Sequence, residues 1–349
     1  MTQSNRHSAS YLRRISRNLF AAAGTPEDIA ATVADILVNA NLAGHDSHGV
    51  QFVPMYLDRM EAGELKPAAR PEIVRETSTT VHVDGHYGFG HNMSRQAMDW
   101  AIERARRTAV CCVTFENSTH IGRLGEYAEQ AARAGCVTVI TLGWASDGPS
   151  QVVPFGGARG CLGTNPMAVG IPTGDDAPFV IDFATSVIAG GKILVARDKG
   201  VDLPPGAVVD KDGRPSTDPG VYFDGGSLLP FGGHKGYALS LYFSLMGGLA
   251  GGFAGEHSAM SGLFMQVYDV AGFSPLDEYQ RQVRIVLDAI KATPPAPGFD
   301  EVLVPGDFEH RSRQQRLAEG IEVPAETYGK IEVWAEKLDI SLDREAGEE

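Results

Sequence analysis

AVCCVTFENSTHIGRLGEYAEQAARAGCVTVITLG, residues 109–143, is the stretch that decides the fold. It opens with an apolar, β-branched run, AVCCVTFE (109–116), which reads as a buried strand. It closes with a second such run, CVTVITLG (136–143). Between them EYAEQAARAG (126–135) reads as a helix that stops on a glycine. Strand, loop, helix and strand in succession mark an α/β architecture.

Outward from this unit the same alternation continues. TTVHVDG (79–85) alternates as a strand, HNMSRQAMDWAIERARR is a helix, and FVIDFATS (179–186) is a strand followed by a helix through IAGGKILVARDK. Residues 198–233 are rich in Pro, Gly and Asp and read as a long loop. The uncharged stretch 236–255 is long enough to span a membrane. It is also rich in glycine and serine, so it is expected as a helix at the heart of a soluble core. A strand is expected around LFMQVYDV.

Both ends of the chain read as helical. Residues 9–23 form a first amphipathic helix. In the second, Thr25 is placed to cap, Pro26 to start the helix, and Ile29, Val33, Ile36, Leu37 and Ala40 to share a face before Gly44 ends it. A third turns Tyr56, Leu57 and Met60 inward, and KPAARPE (66–72) follows as a linker. DEYQRQVRIVLDAI, the FEHRSRQQRLAEG region and ETYGKIEVWAEKL are the last helices. The expected organisation is a helical segment (1–75), a cofactor-binding α/β domain (76–285), and C-terminal helices (286–349) packing with the N-terminal segment.

Composition narrows the function. The 349 residues are 43% hydrophobic and 21% charged, an ordinary globular balance. A net charge of −14 repels phosphate backbones and anionic lipid, so neither nucleic acid nor a membrane is an expected partner. A small anionic substrate then needs a local basic pocket. Cys111, Cys112, Cys136 and Cys161 form no CxxC pair and read as buried hydrophobes in a reducing, cytoplasmic setting. The N-terminus shows no signal-peptide pattern.

Four stretches carry candidate chemistry. GHDSHGV (44–50) sets His45, Asp46, Ser47 and His48 where a helix runs out. It reads as a capping cluster or a binding site, and is too short for a convincing metal site. NSTHIGRLGEYAEQ (117–130) follows a buried strand and opens a helix, where sites occur in α/β folds. There His120 suits a general acid or base, and Arg123 suits a carboxylate or phosphate. Asp182 ends an apolar strand and needs a partner such as a histidine or a ribose hydroxyl. GxGxxG and GxxxxGK[ST] are both absent, and GHYGFG (85–90) has its glycines in the wrong order, so a Rossmann domain or P-loop is disfavoured. GGHKG, by contrast, opens a helix with Lys235 beside it, suited to an anion or simply to a crowded helix start.

DSHGV, NSTHIGRLGEYAEQAARAG, PFGGARGCLGTNPMAVGIP, DFATSVIAGGK and GGHKGYALSL occur here in the order and spacing of the malate/L-lactate dehydrogenase family, which this chain resembles from about residue 10 to residue 340. The resemblance implies an NAD- or NADP-dependent oxidoreductase acting on small 2-oxo and 2-hydroxy acids. It implies a homodimer and a mixed, largely antiparallel, non-Rossmann sheet flanked by helices, with a smaller helical domain formed by both chain ends. It makes His120 the acid/base, with Ser47 and His48 touching substrate and nicotinamide. It gives cofactor contacts to Gly122, Arg123 and Leu124, to Val180, Ile181, Asp182, Phe183 and Ala184, and to His234 or Lys235. Arg313 and Arg316 of RQQR are expected at its phosphates. Many family members carry an arginine five residues after the motif serine; here that position is Phe52. The substrate carboxylate is therefore expected at Arg123, or failing that Lys235, and Phe52 favours an aromatic or alkyl 2-oxo acid. Two rival readings remain at this stage. One is a metal-dependent hydrolase or lyase using His45, His48, Asp46 and His120; the other is a non-catalytic binder of small acids.

Overall fold

The computed structural model describes residues 6–145, 148–250 and 262–343. A short strand, β1 (Arg6–His7), leads into α1 (Ala9–Ala22), where the Ser8 hydroxyl accepts the Tyr11 N–H at 3.2 Å and caps the helix. α2 (Glu27–Leu42) buries Ile29, Val33, Ile36, Leu37 and Ala40. Its start differs from expectation. Pro26, not Thr25, holds the cap position, and the buried Thr25 hydroxyl makes no hydrogen bond among the described residues. The Thr25 N–H is bonded back to the Phe20 carbonyl, which keeps this residue in the α1–α2 turn and out of capping reach. Gly44 carries the left-handed turn after α2 (φ 84°), a 3₁₀ turn spans Asp46–His48, and α3 (Phe52–Glu61) follows.

Leu12, Leu19, Leu37, Tyr56 and Leu57 pack with Ile331 and Trp334 of α11 (Ala325–Lys337), so both chain ends share one hydrophobic centre. β12 (Ile321–Glu322) pairs antiparallel with β1 beside it.

A second core lies on the large sheet. Its strands are β2 (Glu72–Glu76), β3 (Thr80–Asp84), β4 (Val110–Glu116), β5 (Cys136–Thr141), β6 (Pro166–Ile171), β7 (Phe179–Ala184) and β11 (Phe264–Asp269). They lie in the order β2-β3-β4-β11-β5-β6-β7. Only β3 and β4 are parallel neighbours; the other pairs are antiparallel. α4 (Gly90–Thr108) and α5 (Gly125–Arg133) cover it, burying Ala97, Met98, Ala101 and Ala128 against Cys111 and Val113. The sheet is thus mixed, largely antiparallel and flanked by helices, as expected.

Two of its strands escaped the sequence reading. β2 is an edge strand with almost every residue exposed, so it has no apolar alternation. β6 contains Gly170, where a side-chain carbon would fall 2.2 Å from the Ala128 carbonyl oxygen, so backbone contact with α5 replaces side-chain packing there.

The long loop expected over 198–233 instead contains structure. After α6 (Gly190–Lys199) come β8 (Val208–Val209), β9 (Pro215–Ser216), α7 (Gly220–Phe223) and β10 (Ser227–Leu228). The strands form a small sheet, β10-β8-β9, over a core of Val152, Leu162, Ile193, Leu203 and Leu228. Two-residue strands are too short to show a period.

The uncharged helix also differs from expectation. α8 (His234–Gly247) buries only Gly236, Ser240, Phe243 and Gly247, while Tyr242, Leu245 and the following Leu249 are about half exposed. Residues 251–255 of the expected helix lie outside the described residues. A side-chain carbon on Gly143 would fall 2.2 Å from the Ser244 nitrogen, so α8 meets the core through one narrow face in backbone contact. The rest of its apolar surface stays uncovered by the described residues. α9 (Leu276–Lys291) likewise buries none of its side chains fully, and Ile285 and Val286 are exposed. α10 (Asp307–Glu319) lies against α2. Among the described residues no helix is long and apolar enough to cross a membrane.

Candidate functional site

GHDSHGV is held by charge. Arg316 of α10 grips the Asp46 carboxylate with both terminal nitrogens at 2.5 and 2.9 Å, and Asn41 donates to the same carboxylate at 2.7 Å. His45 Nε2 lies 3.1 Å from Glu309 of the same helix. With those two residues tied to α10, Ser47 and His48 pair with each other, Ser47 Oγ lying 3.0 Å from His48 Nδ1. The His48 ring stacks on His120 at 5.9 Å between centroids and 19° between planes.

His120 is the centre of an aromatic cluster. Phe52 stacks on it at 4.6 Å, and Tyr56, one turn further along α3, brings its hydroxyl to 2.5 Å from His120 Nδ1. His91, fully buried at the start of α4, meets Tyr56 and His120 edge-on at 5.4 and 6.0 Å. Glycines make this closeness possible. Gly122 has φ 73°, and a side-chain carbon there would fall 2.7 Å from His91 Nε2. One on Gly90 would fall 2.5 Å from the carbonyl oxygens of Thr119 and His120.

Burial sets the charge state. It pushes the His120 imidazole down to about 3, with the His48 and Arg59 charges adding to the effect. It holds His91 well below its ordinary value, and lowers His48 against a partial offset from the Asp182 carboxylate. All three rings are therefore neutral at neutral pH. Each folded value lies below the unfolded one of about 6.5, so the stabilisation is complete above that pH and declines as pH falls below it. The melting temperature is expected to drop between pH 7 and pH 5. His91→Gln should flatten this dependence by up to ~1.4 kcal/mol per pH unit, one proton's worth. Unfolding curves that superpose for the two proteins at every pH would sink the assignment.

Arg123 is buried at 2% exposure. It donates to Glu129 Oε1 at 2.8 Å, and its Nε lies 3.3 Å from Asp182 Oδ2. The Gly125 N–H donates to the same Asp182 oxygen at 2.7 Å, tying the end of β7 to the start of α5. Asp182 thus has the partners an apolar strand end requires. Arg123 faces protein carboxylates on two sides. Leu124 and Val180 lie in the sheet core, Ile181 and Ala184 are partly exposed, and Phe183 is exposed with its ring edge-on to Phe231 at 5.6 Å.

Two helix starts flank this region. The Phe231 N–H donates to the Thr185 carbonyl, which sets the beginning of α8, with His234 and Lys235 exposed, beside the end of β7. A side-chain carbon on Gly191 would lie 3.7 Å from Ser47 Cβ, so the first turn of α6 abuts Ser47. Neither helix has a side-chain cap; the Lys235 and Gly236 N–H groups of α8 are bonded to the Gly232 and Phe231 carbonyls, and the Lys192 N–H of α6 to that of Ala189, so any anion would meet the N–H groups ahead of these. The arginines of RQQR are ion-paired within the chain. Arg316 is bonded to Asp46, and Arg313 donates to Glu129 at 3.2 Å, which ties α10 to acidic neighbours. Arg313 also borders a pocket lined by Arg133, Val180, Glu309 and His310.

Among the described residues no three His, Cys, Asp or Glu side chains converge as a metal site. His45 turns to Glu309 while His48 and His120 stack in parallel. All four cysteines are free, and burial raises the Cys111 and Cys136 thiols to about 11.

Tyr56 and His91 also border this candidate site, and sequence reasoning does not single them out for it. In sequence Tyr56 reads as an inward core residue. Its signal is the four-residue step from Phe52, which places a hydroxyl on the same helix face. His91 directly follows GHYGFG, glycines weighed only as a dinucleotide fingerprint.

With this geometry in place, likeness to known proteins is informative. The sequence model for malate/L-lactate dehydrogenase matches residues 7–332. The chain is 36% identical to the L-sulfolactate dehydrogenase of Methanothermobacter thermautotrophicus, over 95% of this chain and 96% of that one. It is 35% identical to hydroxycarboxylate dehydrogenase B of Escherichia coli K12, over 95% and 94%. The crystal structure of malate dehydrogenase from Entamoeba histolytica superposes with a TM-score of 0.89 at 29% identity, over 98% of this chain and 100% of that one.

Proposed function

The chain belongs to the malate/L-lactate dehydrogenase family, and from that premise we propose how its residues work. It is a nicotinamide-dependent oxidoreductase that interconverts 2-oxo and 2-hydroxy acids. His120 is the acid/base. The observation that carries this assignment is the placement of its ring: Nδ1 is held by Tyr56 and the faces are packed by His48 and Phe52, which leaves Nε2 for substrate.

The nicotinamide ring, when bound, supplies or takes the hydride. His120 gives a proton to the oxygen of the 2-oxo acid as it becomes an alkoxide, and takes the hydroxyl proton in the reverse direction. Ser47 and His48 orient the reacting groups. The uncapped starts of α6 and α8 suit the cofactor's phosphates, with Asp182, Phe183 and His234 alongside and Arg313 at the outer pocket. NAD and NADP both fit these features.

For the substrate carboxylate we favour Lys235 over Arg123. Lys235 is exposed and forms no ion pair among the described residues, whereas Arg123 is enclosed by Glu129 and Asp182. Reaction takes place where the helical segment (1–75 with 286–349) meets the α/β domain (76–285). The uncovered apolar side chains of α8 and α9 support a homodimer.

Phe52 lies against His120 and makes that wall of the site apolar, which favours an aromatic or alkyl 2-oxo acid. The test follows absorbance at 340 nm with NADH or NADPH and a panel running from pyruvate and oxaloacetate to phenylpyruvate. Phenylpyruvate is expected to give the highest kcat/KM. Phe52→Arg should raise kcat/KM for oxaloacetate by about tenfold or more, as a buried charged hydrogen bond would, and lower it for phenylpyruvate. A variant whose substrate order matches wild type removes Phe52 from specificity. A flat trace with every acid and both cofactors defeats the functional reading.

A further inference from the structure

By burial Tyr56 belongs to the helical core. It is 1% exposed, and the rings of Phe20, Phe52 and Phe89 lie 6.5, 5.4 and 6.0 Å away. A phenol in such surroundings costs free energy unless its hydroxyl is bonded. The hydroxyl's partners are two imidazole nitrogens, His120 Nδ1 at 2.5 Å and His91 Nε2 at 3.5 Å. Burial raises the Tyr56 pKa well above its ordinary value, so the group is a neutral phenol with one proton to give.

The two contacts are met in either sense, since His91 Nε2 can accept from the phenol or donate to it, and the chemistry required of His120 chooses between them. If Tyr56 donated to His120 Nδ1, the proton of neutral His120 would sit on Nε2, and the ring could not accept a substrate proton there. If Tyr56 accepts from His120 Nδ1–H, its own proton points to His91 Nε2 and the His120 Nε2 lone pair is open. The same bond survives when Nε2 is protonated, because the imidazolium keeps its Nδ1–H. We propose that Tyr56 is a positioning residue for the reaction: its oxygen accepts the Nδ1–H of His120, fixes the tautomer with Nε2 free for substrate, and supports the imidazolium form that donates in reduction. The other titratable groups nearest His120 do not offer this. Arg59 from α3 opposes a positive charge, as does His48 from the 3₁₀ turn once protonated, and the buried His91 from α4 is neutral.

The inference rests on His120 being the acid/base, so its test has one arm that needs no turnover. Histidine-selective 15N spectra of the wild-type protein at pH 7 should show His120 protonated at Nδ1, identified by its loss in His120→Ala. In Tyr56→Phe, which keeps the ring, the His120 signals should move toward a mixture of tautomers. The kinetic arm measures Tyr56→Phe with the best 2-oxo acid. kcat should fall about tenfold to a hundredfold, less than when a histidine is locked in the wrong tautomer, with cofactor affinity retained. The pH above which reduction slows should move down by roughly one unit, because a group favouring the imidazolium is gone. A core role alone would lower the melting temperature and leave that pH profile in place. A wild-type His120 protonated at Nε2 overturns the proposal, as does a Tyr56→Phe enzyme with wild-type kcat and pH profile. If His120→Ala keeps full turnover, the acid/base reading fails while the tautomer measurement still stands.

Discussion

His120→Ala lowers kcat in both directions by about 10²–10⁴-fold and leaves the dissociation constant of the nicotinamide cofactor close to wild type. The split follows from what the ring touches. Its protein contacts are His48, Phe52, Tyr56 and His91, all from the helical segment or the start of α4. The features that suit the cofactor's phosphates, the starts of α6 and α8, do not depend on it. If His120 is the acid/base as proposed, removing the ring removes proton transfer and leaves cofactor binding in place. The free protein holds this histidine neutral, its pKa lowered to about 3 by burial. On the proposed assignment it is ready as a base in oxidation, and becomes a proton donor only when substrate supplies negative charge. Reduction should accordingly gain from falling pH while oxidation does not. Stopped-flow titration of cofactor binding beside steady-state kinetics separates the two effects, and an equal loss in both would make His120 structural.

Arg123→Ala is expected to cost roughly 3 kcal/mol of folding stability at pH 7, the range for removing one partner of a buried ion pair. Arg123 and Glu129 are 2% and 5% exposed, and Asp182 is the second carboxylate beside the guanidinium. The variant leaves Glu129 with Arg133 at 3.0 Å and Arg313 at 3.2 Å, which limits the loss. Burial alone would raise the Glu129 pKa, but Arg123, Arg313 and Arg133 together outweigh it and hold the carboxyl below its ordinary value. A carboxyl depressed on folding contributes stability that is present above about pH 4.5 and lost as pH falls through the lower folded value. The difference between wild type and Arg123→Ala should then be largest at pH 7 and shrink below pH 4. Urea unfolding at both pH values checks this. A constant difference would mean that Arg123 stabilises by packing and not by charge.

Several features were open to reading from the chain alone because they depend on neighbours a few residues away. The strands at 109–116 and 136–143, the helix between them, the helical ends and the site loop around His120 carry local composition and period that tertiary structure did not override. So did the run of motifs that places the chain in its family. The sheet order was not local. β11, from residues 264–269, inserts between β4 and β5, and no nearby pattern records that pairing. Nor was the fate of charge and hydroxyl groups. Arg123 and Arg316 have the chemistry of anion ligands in sequence, but fold against Glu129, Asp182 and Asp46. Tyr56 reads as core and folds with its hydroxyl on His120. α8 reads as the centre of the protein and folds with Tyr242 and Leu245 about half exposed. Local dihedral preference and hydrophobic period act over a few residues, and so are written in sequence. Which polar group meets which, and which apolar face is covered, depends on segments hundreds of residues apart, and only the packed chain decides it.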